Sequence, residues 1–148
     1  MFRNCTGLTT FNMPNFTSCT AYKGMERMFQ YCSSLVEARF PLLATASNTN
    51  CVTGWFEYCT SMKNIYLNRL SSTSGSWNMN AAFRRNTSLE TIDFSEATSV
   101  PQIQSTDTFD GCTSDFKIIV PDALYDNWKS TTYWSSYASH IVRKSVYE

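Results

Sequence analysis

Apolar residues recur along this chain in pairs two positions apart, and the pairs are set at one long, regular interval. Phe11 and Met13, Ala38 and Phe40, Ile65 and Leu67, Ile92 and Phe94, and Ile118 and Val120 each enclose a single residue. The positions between and beside them are mostly polar, as in Glu37 and Arg39, Asn64 and Tyr66, or Thr91 and Asp93. Spacing by two is the mark of a strand with one buried face. The pattern predicts five short parallel strands near Thr10 to Met13, Glu37 to Phe40, Asn64 to Leu67, Thr91 to Phe94 and Lys117 to Val120.

Each pair lies nine and eleven positions after a phenylalanine. Phe2, Phe29, Phe56 and Phe83 are 27 residues apart and Phe109 follows 26 later, so one short unit is written five times. Within it the Phe is followed by a thiol or small polar residue, then Thr or Ser, then an apolar residue, as in Phe29-Gln30-Tyr31-Cys32-Ser33-Ser34-Leu35. Apolar side chains return at plus fourteen in Phe16, Leu43, Leu70 and Ala97, and just before the Phe in Met1, Met28, Trp55 and Ala82. Fixed periods of about 20 to 50 residues mark solenoids, propellers or arrays. One unit cannot bury its own apolar set, whereas units stacked about 4.8 Å apart build a continuous core and pair one another's backbones. The expected fold is a repeat solenoid, a leucine-rich-repeat-like parallel β ladder of five coils over residues 1–121. The segments closing each coil, such as Thr45 to Asn50 and Ser71 to Asn80, are rich in Ser, Thr and Asn and read as turns or weakly regular structure.

Residues 122–148 read as a short helical C-terminal cap on the fifth coil. Asp122 is placed as N-cap of a helix over Ala123 to Lys129, with Leu124 and Trp128 on one face, and Trp134, Tyr137, Ala138 and Ile141 continue at helical spacing. No such cover is expected at the other end. Met1, Phe2, Leu8, Phe11 and Met13 belong to the first coil, and its upper edge is expected to be exposed or covered by a neighbouring chain.

Twelve basic residues balance twelve acidic ones, which gives no electrostatic reason to expect nucleic acid or an anionic membrane as partner. No run approaches the 18 or so apolar residues of a membrane span, and Met1-Phe2-Arg3-Asn4 lacks the apolar stretch of a signal peptide. Aromatic residues make up 15% of the chain, a share suited to a surface that makes contacts through Tyr and Trp.

Four of the six cysteines, Cys5, Cys32, Cys59 and Cys112, hold one repeat position, and Asn86 holds it in the fourth copy. A Cys-or-Asn choice points to a small buried side chain that hydrogen-bonds turning backbone, with the thiols reduced. No CxxC or CxxH spacing supports a metal site. Cys19 and Cys51 lie outside the ladder, and pairing or simple core packing are both open to them. His140 is the only histidine and no GxSxG motif accompanies it, so neither catalysis nor a cofactor is expected. The sequons at Asn4, Asn15 and Asn86 read as chance in a chain rich in Asn, Ser and Thr, Asn86 being too buried for a glycan. The candidate binding surface is the polar side of the strands, where Glu37, Arg39, Lys63, Asn64, Tyr66, Glu90, Thr91, Asp93 and Lys117 form columns. Cross-strand pairing within a solvated face is the competing reading of the same residues.

The pattern Phe-x-x-Cys-Thr/Ser-Ser-Leu-x-x-Ile-x-Phe resembles the BspA-like leucine-rich repeats of surface proteins from gut and oral bacteria, some protists, and phages of such bacteria. The tail from Ile119 through Trp128 to Tyr137-Ala138 is similar to the terminal cap of those families. The units here are longer and less regular than the family's, and the last copy carries Asp115 where the others have an apolar residue. The resemblance implies binding or adhesion without catalysis: recognition of a protein or glycan at a cell surface, in an extracellular setting. The alternative is a structural component of a phage particle or other assembly, a virion protein docking through its first coil.

Overall fold

The computed structural model describes residues 1–148. Its strands are β1 (Thr10–Asn12), β2 (Ser18–Cys19), β3 (Glu37–Arg39), β4 (Thr45–Ala46), β5 (Asn64–Tyr66), β6 (Thr91–Asp93), β7 (Lys117–Val120) and β8 (Ile141–Arg143). Six of them form one parallel sheet in the order β1-β3-β5-β6-β7-β8. The alternation that marked the strands also sets their register: Phe11, Ala38, Ile65, Ile92 and Ile118 lie side by side on successive strands. Any slip by one residue would turn these side chains out of the core.

The repeat phenylalanines stack behind the sheet. Ring centroids are 5.5 Å apart for Phe2 and Phe29, 5.0 Å for Phe29 and Phe56, 6.1 Å for Phe56 and Phe83, and 5.1 Å for Phe83 and Phe109, all near parallel. Phe116 and His140 extend the column, at 5.2 Å and then 4.1 Å. Phe116 is buried while Asp115 is exposed, so the last copy moves its apolar side chain on by one residue to keep the core filled. His140 Nδ1 lies 3.0 Å from the Phe116 carbonyl oxygen, a contact that needs the proton on that nitrogen.

A second ladder joins the copies through their turns. Met25, Arg27, Phe29 and Tyr31 donate their amides to the carbonyls of Cys51, Thr53, Trp55 and Glu57 at 2.8 to 2.9 Å. The turns place left-handed residues four positions apart: Lys23, Arg27 and Tyr31, then Asn50, Gly54 and Tyr58, then Trp77, Ala81 and Arg85, with Met79 left-handed as well in the last. Most of these are not glycine, and left-handed backbone is costly for residues with a Cβ. Inter-copy hydrogen bonds at every second residue hold them in place.

The closing segments carry turns and weakly regular structure, the latter being a separate two-stranded parallel sheet of β2 and β4, which Ser72 prolongs by one bridge to Thr45. Two expectations need correction. Ile141 is not helical; it lies in β8, which pairs with β7 and adds a sixth strand. Asp122 does not cap a helix over Ala123 to Lys129. A 3-10 turn at Asp122–Leu124 precedes helix α1 (Tyr125–Ser130), and the Asp122 carboxylate instead accepts from the amide and hydroxyl of Ser145 in helix α2 (Lys144–Tyr147). The apolar spacing from Trp134 to Ile141 comes from a 3-10 turn, Trp134–Tyr137, followed by a strand whose inward residue is Ile141. Trp128 and Trp134 are buried as expected, packed on Phe94 at 5.3 and 5.9 Å.

Candidate functional site

The strand face brings the expected residues together as columns. Glu37, Asn64, Thr91 and Lys117 are register partners, and so are Arg39, Tyr66 and Asp93, with Ile119 ending the second column. Their polar groups are largely spent on one another. Arg39 Nε donates to Glu37 at 2.6 Å, a bond that holds the guanidinium's pKa above its ordinary value, and the same group lies 3.8 Å from the Tyr66 ring centroid. Lys63 pairs with Glu90 at 3.0 Å, Thr91 donates to Asn64 at 2.7 Å, and Asp93 accepts the Ser95 amide at 2.8 Å. Thr91, expected to face water, is buried beneath these neighbours. A polar hollow near the closing segments is spent in the same way. Arg69 pairs with Glu96 at 3.1 Å across it, and Ser71 takes the Thr98 amide at 2.9 Å.

The thiol column is structural. Cys32, Cys59 and Cys112 donate to the carbonyls of Phe2, Phe29 and Phe83 in the preceding copy, at 2.9, 3.1 and 3.0 Å. All six cysteines are free. Burial pushes the Cys59 and Cys112 thiols up, the latter to about 12, so they stay protonated. Asn86 fills the position with a bond to its own copy's Phe83 carbonyl at 2.8 Å and leaves its Oδ1 without a partner. No group of three or more His, Cys, Asp or Glu side chains is arranged to hold a metal ion.

The N-terminal end differs from both. Met1 is 93% exposed, and Phe2, Leu8, Phe11, Met13 and Phe16 are only half-buried, whereas their counterparts in the next two copies are wholly enclosed. Beside Met1 a groove of about 380 Å³ runs over Met13, Phe16, Cys19, Gly24, Met25 and Met28. Its floor is the turn segment of the second copy. In the turn that leads into the third copy the carbonyls of Thr49, Cys51 and Thr53 receive amides from the equivalent turn one copy earlier. The matching carbonyls of Tyr22, Gly24 and Glu26 receive none within the chain, and Gly24 and Glu26 line the groove. Gly24 is required here by close approach, since a Cβ would lie 2.5 Å from the Cys19 sulfur.

The sequence columns just before each Phe held the signal for this groove. Met25, Val52 and Met79 share one buried position, and Gly24, Cys51 and Asn78 share another that is exposed at Gly24 and buried in the later copies, but the strand alternation drew attention to the opposite side of the unit. Compared with known protein families, with curated proteins and with solved structures, the chain matches none.

Proposed function

We propose that this chain is a non-catalytic interaction module, a leucine-rich-repeat-like solenoid that takes a protein segment at its N-terminal end. The open groove beside Met1 is the observation that carries the reading: apolar side chains, an edge strand and three unengaged carbonyls face the same way. An edge of this kind is a template for pairing. The occupant follows from the interface the copies already make with one another. It is a polypeptide lying parallel to the second copy's turn segment, with alternate amides toward the carbonyls of Tyr22, Gly24 and Glu26. It carries an apolar side chain where Met25 and Val52 sit in later copies. The resemblance to BspA-like repeats supports a binding role, and assembly docking through the first coil is the form of that role the groove favours.

Recognition of a protein or glycan at a cell surface through the strand face is a second reading. Its support is the flat Arg39 and Tyr66 platform, with Lys117 free of ion pairs at the column's end. A titration of isotope-labelled protein with a peptide of the sequence Thr49 to Glu57, Ser replacing Cys51 in the peptide, separates the two. Amide shifts confined to Met1, Phe2 and Ser18 to Met28, lost in a Phe16→Glu variant, are expected. Shifts on β3, β5 and β6, or none with the peptide at about 1 mM, a concentration that would reveal even weak docking, would overturn the groove reading.

A further inference from the structure

We propose that Cys19 and Cys51 are a cross-linking site, a thiol pair that an external disulfide oxidises to tie the first copy covalently to the second. Their sulfurs lie 2.9 Å apart, inside van der Waals contact for two sulfurs, and they are 32 residues apart in the chain. The repeat explains the approach. Cys51 holds the position of Asn78, whose amide nitrogen donates to Ala46 of the preceding copy at 2.5 Å, and Cys51 likewise donates to the Cys19 carbonyl at 3.3 Å. Cys19 is the register partner of Ala46, so the column that steers Asn78 onto a methyl-bearing residue steers Cys51 onto a thiol. Gly24, with no side chain, leaves the Cys19 sulfur the space it occupies.

None of the ladder cysteines is placed in this way. Each interior one directs its sulfur onto a backbone carbonyl, and no sulfur-to-sulfur contact occurs among them. Access is divided between the pair. Cys19 lines the groove at 7% exposure, while Cys51 is fully enclosed. Cys19 is therefore the group that meets the reagent. Its thiolate attacks one sulfur of a small disulfide such as glutathione disulfide and expels one glutathione thiolate. Cys51 then attacks the Cys19 sulfur of the mixed disulfide and expels the second glutathione, which leaves as the thiol with the Cys51 proton. Two protein thiols are oxidised by two electrons and one external disulfide is reduced to two thiols. Burial pushes the Cys51 thiol up to about 12, which makes the second step the slow one.

The cross-link closes a loop that contains β3 and β4, next to the edge strand β1. Native protein incubated with glutathione disulfide, alkylated in denaturant and peptide-mapped tests the site. The expected map shows one disulfide, Cys19 to Cys51, with Cys5, Cys32, Cys59 and Cys112 alkylated. The thermal midpoint should rise by about 5 to 10 °C and return on addition of dithiothreitol. The same treatment of a Cys19→Ser variant should leave the midpoint unmoved. Recovery of Cys19 and Cys51 as alkylated thiols, or cross-links to ladder cysteines in equal yield, would overturn the proposal. The map on the unaltered chain decides even where the variant folds poorly.

Discussion

The two ends of the sheet are built on one repeat and finish in opposite ways. At the C-terminal end β8 pairs with β7, Trp128 and Trp134 are wholly buried, and the Trp134 indole donates to the Pro101 carbonyl at 2.6 Å. At the N-terminal end Met1 is exposed and the first copy's core residues are half-buried, although β1, like β8, has a single strand neighbour. The repeat alone closes neither end, because each copy's apolar set is covered only by the next one. Cover has to come from a segment that departs from the repeat, and residues 122–148 supply it at one end.

Replacing the same residue in two copies measures that difference. Phe56 is enclosed between Phe29 and Phe83, and Phe56→Ala should cost about 3 to 5 kcal/mol through the cavity it leaves. Phe2 stacks on one side only, and Phe2→Ala should cost about 1 kcal/mol, since it is only partly buried. Urea unfolding of both variants checks the ratio, and equal losses would break the comparison. Trp134→Ala at the covered end should fall near the interior value, about 3 kcal/mol, with the Pro101 carbonyl left unbonded.

Much of this was legible in the sequence and some was hidden for physical reasons. Strand positions, their parallel order and the Phe and Cys columns follow from the repeat, because equivalent residues in stacked units must meet the same surroundings. The second sheet was hidden because β2 and β4 are two residues long, too short for alternation to register. Ile141 misled because a 3-10 turn followed by a strand can reproduce helical spacing over eight residues. The strand-face columns were located correctly, but sequence does not reveal that Arg39, Glu37, Lys63 and Glu90 satisfy one another. The groove escaped notice because it depends on backbone carbonyls and on the absence of a side chain at Gly24, neither of which has an apolar signature.

The thiol column carries the same contrast at lower energy. Cys59→Ala removes a buried bond to the Phe29 carbonyl and should cost about 1 to 2 kcal/mol, whereas Cys5 donates to no preceding copy and Cys5→Ala should be near neutral. The interior thiols also set an alkaline limit. Desolvation raises Cys51 and Cys112 to about 12 in the fold, so above the unfolded thiol value, about 9, the unfolded chain releases protons that the native chain keeps. The thiols' contribution to stability is then constant below about pH 8 and falls as pH rises from there to about 12, with Cys51 alone contributing roughly 1 kcal/mol of the loss by pH 10. Urea midpoints at pH 7.5 and 10 should show the drop, and a flat profile would mean the thiols ionise as freely folded as unfolded. Smallest of all, Lys63→Ala on the exposed strand face should change stability by less than about 0.5 kcal/mol, since its ion pair with Glu90 is solvated.

Site-resolved amide hydrogen exchange compares the two ends most directly. The amides of Phe40, Leu67 and Phe94, bonded to the next strand at 2.8 to 2.9 Å, and of Ile118, bonded to His140 at 2.9 Å, should exchange only through global unfolding. Those of Phe2 and Met13, bonded at the same length to Met28 and Arg39, should exchange orders of magnitude faster, because the first copy opens locally. Protection of Phe2 and Met13 equal to that of Leu67, or loss of protection at Ile118, would contradict the account of one open and one covered end.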